Sequence, residues 1–187
     1  MAETQWPEPI SSDAQHITIM MTIGKYSFGT GDRFAHQGKH QLTALIKASE
    51  RYNIDFVPVW NKSNREHQIV GTEPADTRIA ADEAVKALGY NKPYFVDADH
   101  INMNNVDRFI DSSDFFTIDV ADYIGKPADE ASISEFVTNN LKYAGDLTIP
   151  GIARPFKVDR SLIETLAKKY LFATREAGRI YRHIAGK

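Results

Sequence analysis

The feature that most constrains this chain is an alternation. Short β-rich runs, each ending in a polar cluster, alternate with longer runs of helical periodicity. Ile23–Phe28 reads as a first strand, Ile54–Trp60 as a second, Pro93–Asp97 as a third and Phe115–Asp119 as a fourth. Pro58 fits poorly inside the second, because proline donates nothing to a ladder. Between them, Gln41–Tyr52 and Pro74–Leu88 repeat apolar residues at helical spacing, the latter stopped by Gly89. A short helix is expected over Val106–Ile110, then helices over Ile133–Tyr143 and Ser161–His183. The last has the apolar stripe Leu162, Leu166, Tyr170, Ala173, Ala177 and Ile180, with Asp159 or Ser161 as its cap. The intervening GDLTIPGIARPF, with two prolines and two glycines, reads as a loop. Strands separated by helices imply βαβ crossovers and a parallel sheet. A closed (β/α)8 barrel takes about 250 residues. Four units in 187 residues therefore make either a small open α/β sheet or about half of a TIM-like barrel, with a long C-terminal helix.

Composition narrows the function classes. At 42% hydrophobic the chain can bury a core, and its net charge of −3 offers nothing to nucleic acid or an anionic membrane. Without cysteine, any metal must be held by His, Asp or Glu. No apolar run approaches the roughly 20 residues that span a bilayer. Residues 1–20 lack the basic and apolar regions of a secretory signal and read as a polar, poorly ordered leader. Residues 21–187 then form a single α/β domain, and a cytoplasmic location is the expectation.

The polar clusters follow the strands in order: SFGTGDR, NKSNREH, DADH and DVAD. In parallel α/β folds the loops at the carboxyl ends of the strands open on one face, where sites are built. In DADH, Asp97 and Asp99 project to one side of a strand, and a turn beginning at Asp99 lets Asp99 and His100 converge. Such a pair ligates a divalent cation or supplies a base. Alternatively Asp99 caps the following helix and His100 is a hydrogen-bonded core residue. SFGTGDR has GxG without the third glycine of a dinucleotide fingerprint. Its glycines allow a tight turn near a ligand, with Asp32 and Arg33 beside it and Arg33 offering a fork to a carboxylate. The plainer reading pairs Arg33 with an acid. Ser63, Asn64 and Arg65 suit a polyhydroxylated anion or make a solvated loop, and Asp119 and Asp122 complete the polar rim.

SFGTGDRFAHQGKHQ, PVWNKSNREH, GTEPADTR, YFVDADHIN and DRFIDSSDFFTIDVADYIGKP, in this order, resemble the tagaturonate/fructuronate epimerase family. The resemblance runs from about Met21 to the C-terminus and corresponds to the N-terminal portion of longer family members. It implies a metal-dependent isomerase of uronate metabolism that interconverts D-tagaturonate and D-fructuronate at C4. It implies Asp99 as catalytic acid/base, His100 as ligand to a divalent cation (Zn, Mn, Ni or Fe), and a small sugar acid as substrate. The other ligands and a second acid/base are expected from later motifs, including an HSGSDK segment that this sequence does not contain. This chain is then one wall of the site, completed by the other half of a barrel or by a second copy. The competing expectation is a sugar-acid-binding or structural half-barrel without activity of its own.

Overall fold

The computed structural model describes residues 23–34 and 36–187; the expected leader and the Met21 boundary lie outside them. Four parallel strands, β1 Tyr26–Gly31, β2 Phe56–Ser63, β3 Phe95–Ile101 and β4 Phe115–Ile118, lie side by side in chain order. Helices α1 Gly38–Tyr52 and α3 Pro74–Leu88 form the crossovers between β1, β2 and β3. They pack on one face, where Leu42, Trp60, Ala81, Ala84 and Val96 form a buried cluster. Trp60 Nε1 donates to Gln41 Oε1 at 3.0 Å, satisfying the one polar atom of that ring. Val57, Val59 and Phe95 pack together in a separate cluster, as expected for alternate positions of a strand buried on both faces.

The strands run farther than their apolar residues suggest. β1 extends through Gly29-Thr30-Gly31, because these residues pair in parallel register with Val59, Trp60 and Asn61. The glycines expected to form a tight turn are therefore strand residues. A Cβ on Gly31 would meet Asn61 Oδ1 at 3.1 Å, so the missing side chain makes room for that amide. Pro58 sits buried within β2 opposite Phe28. NKSNREH is not a loop either. Its first residues finish β2 and Asn64–Val70 forms a short helix, α2. Ser63 and Glu66 make the reciprocal capping box that starts it, and Gly71 in the left-handed region ends it.

Past β3, the expected helix over Val106–Ile110 is two 3-10 turns, Val106–Arg108 and Ile110–Ser112. They return the chain to β4, where Arg78 of α3 donates to Asp114 at 2.5 Å and to the Ser112 carbonyl at 3.2 Å. Helices α4 Glu130–Asn140 and α5 Arg160–Ala185 pack through Ile133, Val137, Ile163 and Ala167. GDLTIPGIARPF, expected as a loop, holds the antiparallel pair β5 Gly145–Leu147 and β6 Phe156–Val158. Asp159 caps α5 by accepting from the Leu162 N–H at 2.7 Å. The buried stripe of α5 begins at Ile163 and Ala167 rather than at Leu162 and Leu166, which stay 37% and 44% exposed, because α4 seats on the neighbouring ridge. Farther along, Ile180 reaches the cluster of Ala98, Ile101, Val106 and Phe109 under the end of β3.

Among the described residues both edges of the sheet are open strands: β1 is exposed along nearly its whole length and β4 pairs only with β3. No helix among the described residues is long and apolar enough to cross a membrane.

Candidate functional site at the strand ends

The carboxyl ends of β2 and β3 enclose a polar cleft of about 420 Å³. Ser63, Asn64 and Arg65 form one side, Asp99 and His100 another, and Asp119 closes it beyond β4. Six of the expected site residues therefore meet. Arg33, Asp32, Asp97 and Asp122 do not line the cleft.

The centre of the cleft is a bulge. β3 pairs with β4 through Asp97 and Ala98, then shifts register before Ile101. His100 adopts a left-handed φ of 55° there. Bulges re-aim side chains, and a non-glycine residue at positive φ holds only where the surroundings enforce it. The deviation turns His100 toward its neighbour, and Nδ1 lies 2.7 Å from Asp99 Oδ1. A carboxylate only accepts, so Nδ1 carries a hydrogen, and in the neutral imidazole the lone pair is on Nε2. His100 is the open member of the pair at 65% exposure, against 20% for Asp99. An imidazole oriented by a carboxylate is the arrangement metal-binding histidines use. Among the described residues no three His, Asp or Glu side chains converge on a cation position. The donors present would fit at most one corner of a metal site, His100 Nε2 being the imidazole atom left open to the cleft.

The remaining expected residues have other partners. Arg33 lies 3.1 Å from Glu66, the plainer of its two expected pairings. Glu66 also accepts from the Ser63 N–H and hydroxyl, both at 3.0 Å. The Ser63 hydroxyl hydrogen is thus engaged by the cap, while Arg65 remains exposed. Asp32 accepts from the Gln37 N–H at the start of α1. Asp122 is exposed on a 3-10 turn, and Asp119 accepts from the Ala121 N–H at 3.0 Å. Asp97 is 5% exposed, and its oxygens accept from the Thr117 N–H at 3.0 Å and hydroxyl at 2.8 Å. It joins β3 to β4 directly beneath the bulge. Three cleft residues were missed in the sequence, Asn105, Gln68 and Glu66; the capping-box spacing Ser63-x-x-Glu66 was the available signal for the last.

Behind the cleft lies a buried polar cluster. Lys62 Nζ donates to Thr72 Oγ1 at 2.9 Å, which leaves the Thr72 hydroxyl hydrogen for His67 Nδ1, also at 2.9 Å. Burial lowers the Lys62 ammonium from its usual range. Burial also drives His67 down to about 4, with Lys62 and Arg108 adding to the effect. Asp97 moves the opposite way, pushed up to about 6 by burial and further disfavoured as an anion by Asp99.

The two shifts have opposite consequences for stability. Asp97 contributes stability that is complete below 3.8 and lost as pH rises through about 6. His67 contributes stability that is complete above 6.5 and lost as pH falls through about 4. Each swing is roughly 3 kcal/mol, so in the wild-type chain they largely offset. Asp97→Asn keeps both Thr117 contacts, since its amide accepts from the N–H and donates to the hydroxyl. The variant is expected to lose roughly 3 kcal/mol more than the wild type between pH 7 and pH 4. Urea unfolding at both pH values checks this, and parallel curves for the two proteins would refute it.

The fold and cleft define a parallel α/β domain with a polar cleft at the carboxyl ends of its strands. The chain belongs to the tagaturonate epimerase family, whose model matches residues 13–149. No curated protein sequence matches it. The fold is shared with the fructuronate-tagaturonate epimerase UxaE from Cohnella laeviribosi. A glycerol-bound crystal structure of that enzyme superposes with a TM-score of 0.65 at 20% identity, over 84% of this chain and 34% of that one. Its native crystal structure gives 0.59 at 20% identity, over 87% and 34%. This chain thus spans about a third of the length of that relative.

Proposed function

We propose that this chain supplies one wall of a C4 epimerase that interconverts D-tagaturonate and D-fructuronate in the cytoplasm. In this reading its sheet is half of a (β/α)8 barrel. The observation that carries it is the Asp99–His100 pair, brought together by a bulge on the wall of a polar cleft, in a chain of this family. The edges β1 and β4, open among the described residues, support closure by further strands, either from a longer family member or from a second copy.

The chemistry follows from the substrate. C4 carries a hydroxyl β to the C2 ketone, so its C–H is not acidified by that carbonyl. Retro-aldol cleavage avoids the difficulty. Asp99 takes the proton of the C4 hydroxyl, the C3–C4 bond breaks, and its electron pair moves through C2 to the ketone oxygen. An aldehyde at C4 and an enediolate over C2 and C3 result. The aldehyde turns its other face, the bond reforms, and Asp99 returns the proton to the new alkoxide. A divalent cation, when bound, supplies Lewis-acid stabilisation of the enediolate oxygens. His100 Nε2 is the ligand atom this chain offers to it, and Asp119, Arg65 and Asn64 hold hydroxyls and the carboxylate.

The test is C4 epimerisation of D-fructuronate, followed by NMR, with metal-stripped protein resupplied with Zn, Mn, Ni or Fe. Metal-dependent turnover by the 187-residue chain means that it assembles a complete site by self-association. Turnover only in a form extended to the family's length means that it forms one wall. Absence of turnover in both, with any of the ions, would sink the reading. A sugar-acid-binding module without activity is the second reading, favoured by His100 being the one imidazole among the described residues that line the cleft; binding without turnover in both forms would establish it.

A further inference from the structure

Two amides on the cleft wall have orientations dictated by their neighbours. Asn64 faces Arg108, whose Nη1 lies 2.6 Å from Asn64 Oδ1. A guanidinium has donors only, so the amide atom facing it must be the oxygen. Arg108 is itself immobilised, donating to Glu73 at 2.8 and 2.9 Å and to the Thr72 carbonyl at 3.2 Å. Asn105 Oδ1 accepts from the Asn102 N–H at 2.8 Å, and a backbone N–H is again a donor only. Both carbonyl oxygens are therefore occupied by protein. Neither Nδ2 makes a hydrogen bond among the described residues, and both side chains line the cleft, as does Arg65. Asn64, Asn105 and Arg65 thus present a donor edge to the cleft, the oxygens of neighbouring Glu66 being engaged by Ser63 and Arg33, and Asp99 and Asp119 present acceptors.

We infer that Asn64 and Asn105 are specificity residues that read the carboxylate of a sugar acid through their Nδ2 hydrogens, and that Arg108 is a positioning residue locking the Asn64 amide. The assignment rests on the functional reading above and orients the substrate within it. The carboxylate lies against Asn64, Asn105 and Arg65, and the hydroxyls lie against Asp99 and Asp119. A sugar with the same hydroxyls but no carboxylate gains nothing from the donor edge.

The experiment compares affinities of the 187-residue chain for D-fructuronate and for D-fructose by calorimetry. Asn64→Asp and Asn105→Asp each keep the oxygen that Arg108 or the Asn102 N–H requires, and replace the donating nitrogen with an accepting oxygen. Each is expected to weaken D-fructuronate at least tenfold while changing D-fructose less than twofold. Arg108→Met frees the Asn64 amide and is expected to shift the preference the same way, with unfolding curves confirming that it folds. Equal weakening of both sugars, or of neither, in the two aspartate variants would overturn the donor assignment while leaving the functional reading intact. Failure of the wild-type protein to bind either sugar, both as this chain and in a form extended to the family's length, would overturn that reading and this assignment together.

Discussion

Asp99→Asn is expected to lower D-fructuronate epimerisation by about 10²–10⁴, the usual worth of a positioned acid/base. The assay belongs in whichever form of the protein shows turnover. Asparagine is isosteric and can still accept from His100 Nδ1, so the 2.7 Å contact survives the change. What it cannot do is take the proton of a C4 hydroxyl. Metal content and the D-fructuronate KM are therefore expected to change little while kcat collapses. A loss below tenfold would remove Asp99 as the base and leave it only the task of orienting His100. Loss of metal together with activity would assign it to ligand support instead.

The largest expected effect on stability lies under the same bulge. Phe109→Ala is expected to cost about 3–5 kcal/mol, read from urea unfolding. The ring is 1% exposed and packs with Ala98, Ile101, Val106 and Ile180, which join β3, the 3-10 turns and α5. Its centroid also lies 5.7 Å from that of His67, so it borders the buried polar cluster. The site has little means of collapsing into the space, because its neighbours come from elements fixed independently by the sheet and by α5. A cost under 1 kcal/mol would show that α5 does not seat there.

Most of the architecture is legible from local pattern. α3 was readable to the residue, since Pro74 opens it, Gly89 stops it and its apolar spacing lies between. The parallel order of strands follows from the length of the crossovers, because a parallel pair needs a helix-sized connection. The errors share a cause. Polar residues of β2 and the glycines of β1 looked like loop because nothing local marks them as paired. Their partners are some thirty residues away, as Gly31 is from Asn61. β5 and β6 were hidden in the same way by the prolines and glycines of their connection.

The candidate site divides similarly. The residue types were visible in DADH and NKSNREH, because short-range composition shows which strand ends are polar. Which of them face one another was not. The bulge at His100 arises from the mismatch in register between β3 and β4, so no property of the four letters DADH encodes it. Asp97, alike in type to Asp99, is buried because Thr117 of the neighbouring strand accommodates it. The orientation of Asn64 depends on Arg108, 44 residues later in the chain. The sequence by itself determined the four parallel strands, the main helices, their order and the family, since these rest on periodicity and motif within short windows. Only the tertiary structure decided which carboxylate is pinned and which is free, because burial and hydrogen-bond partnership are set by groups distant in sequence.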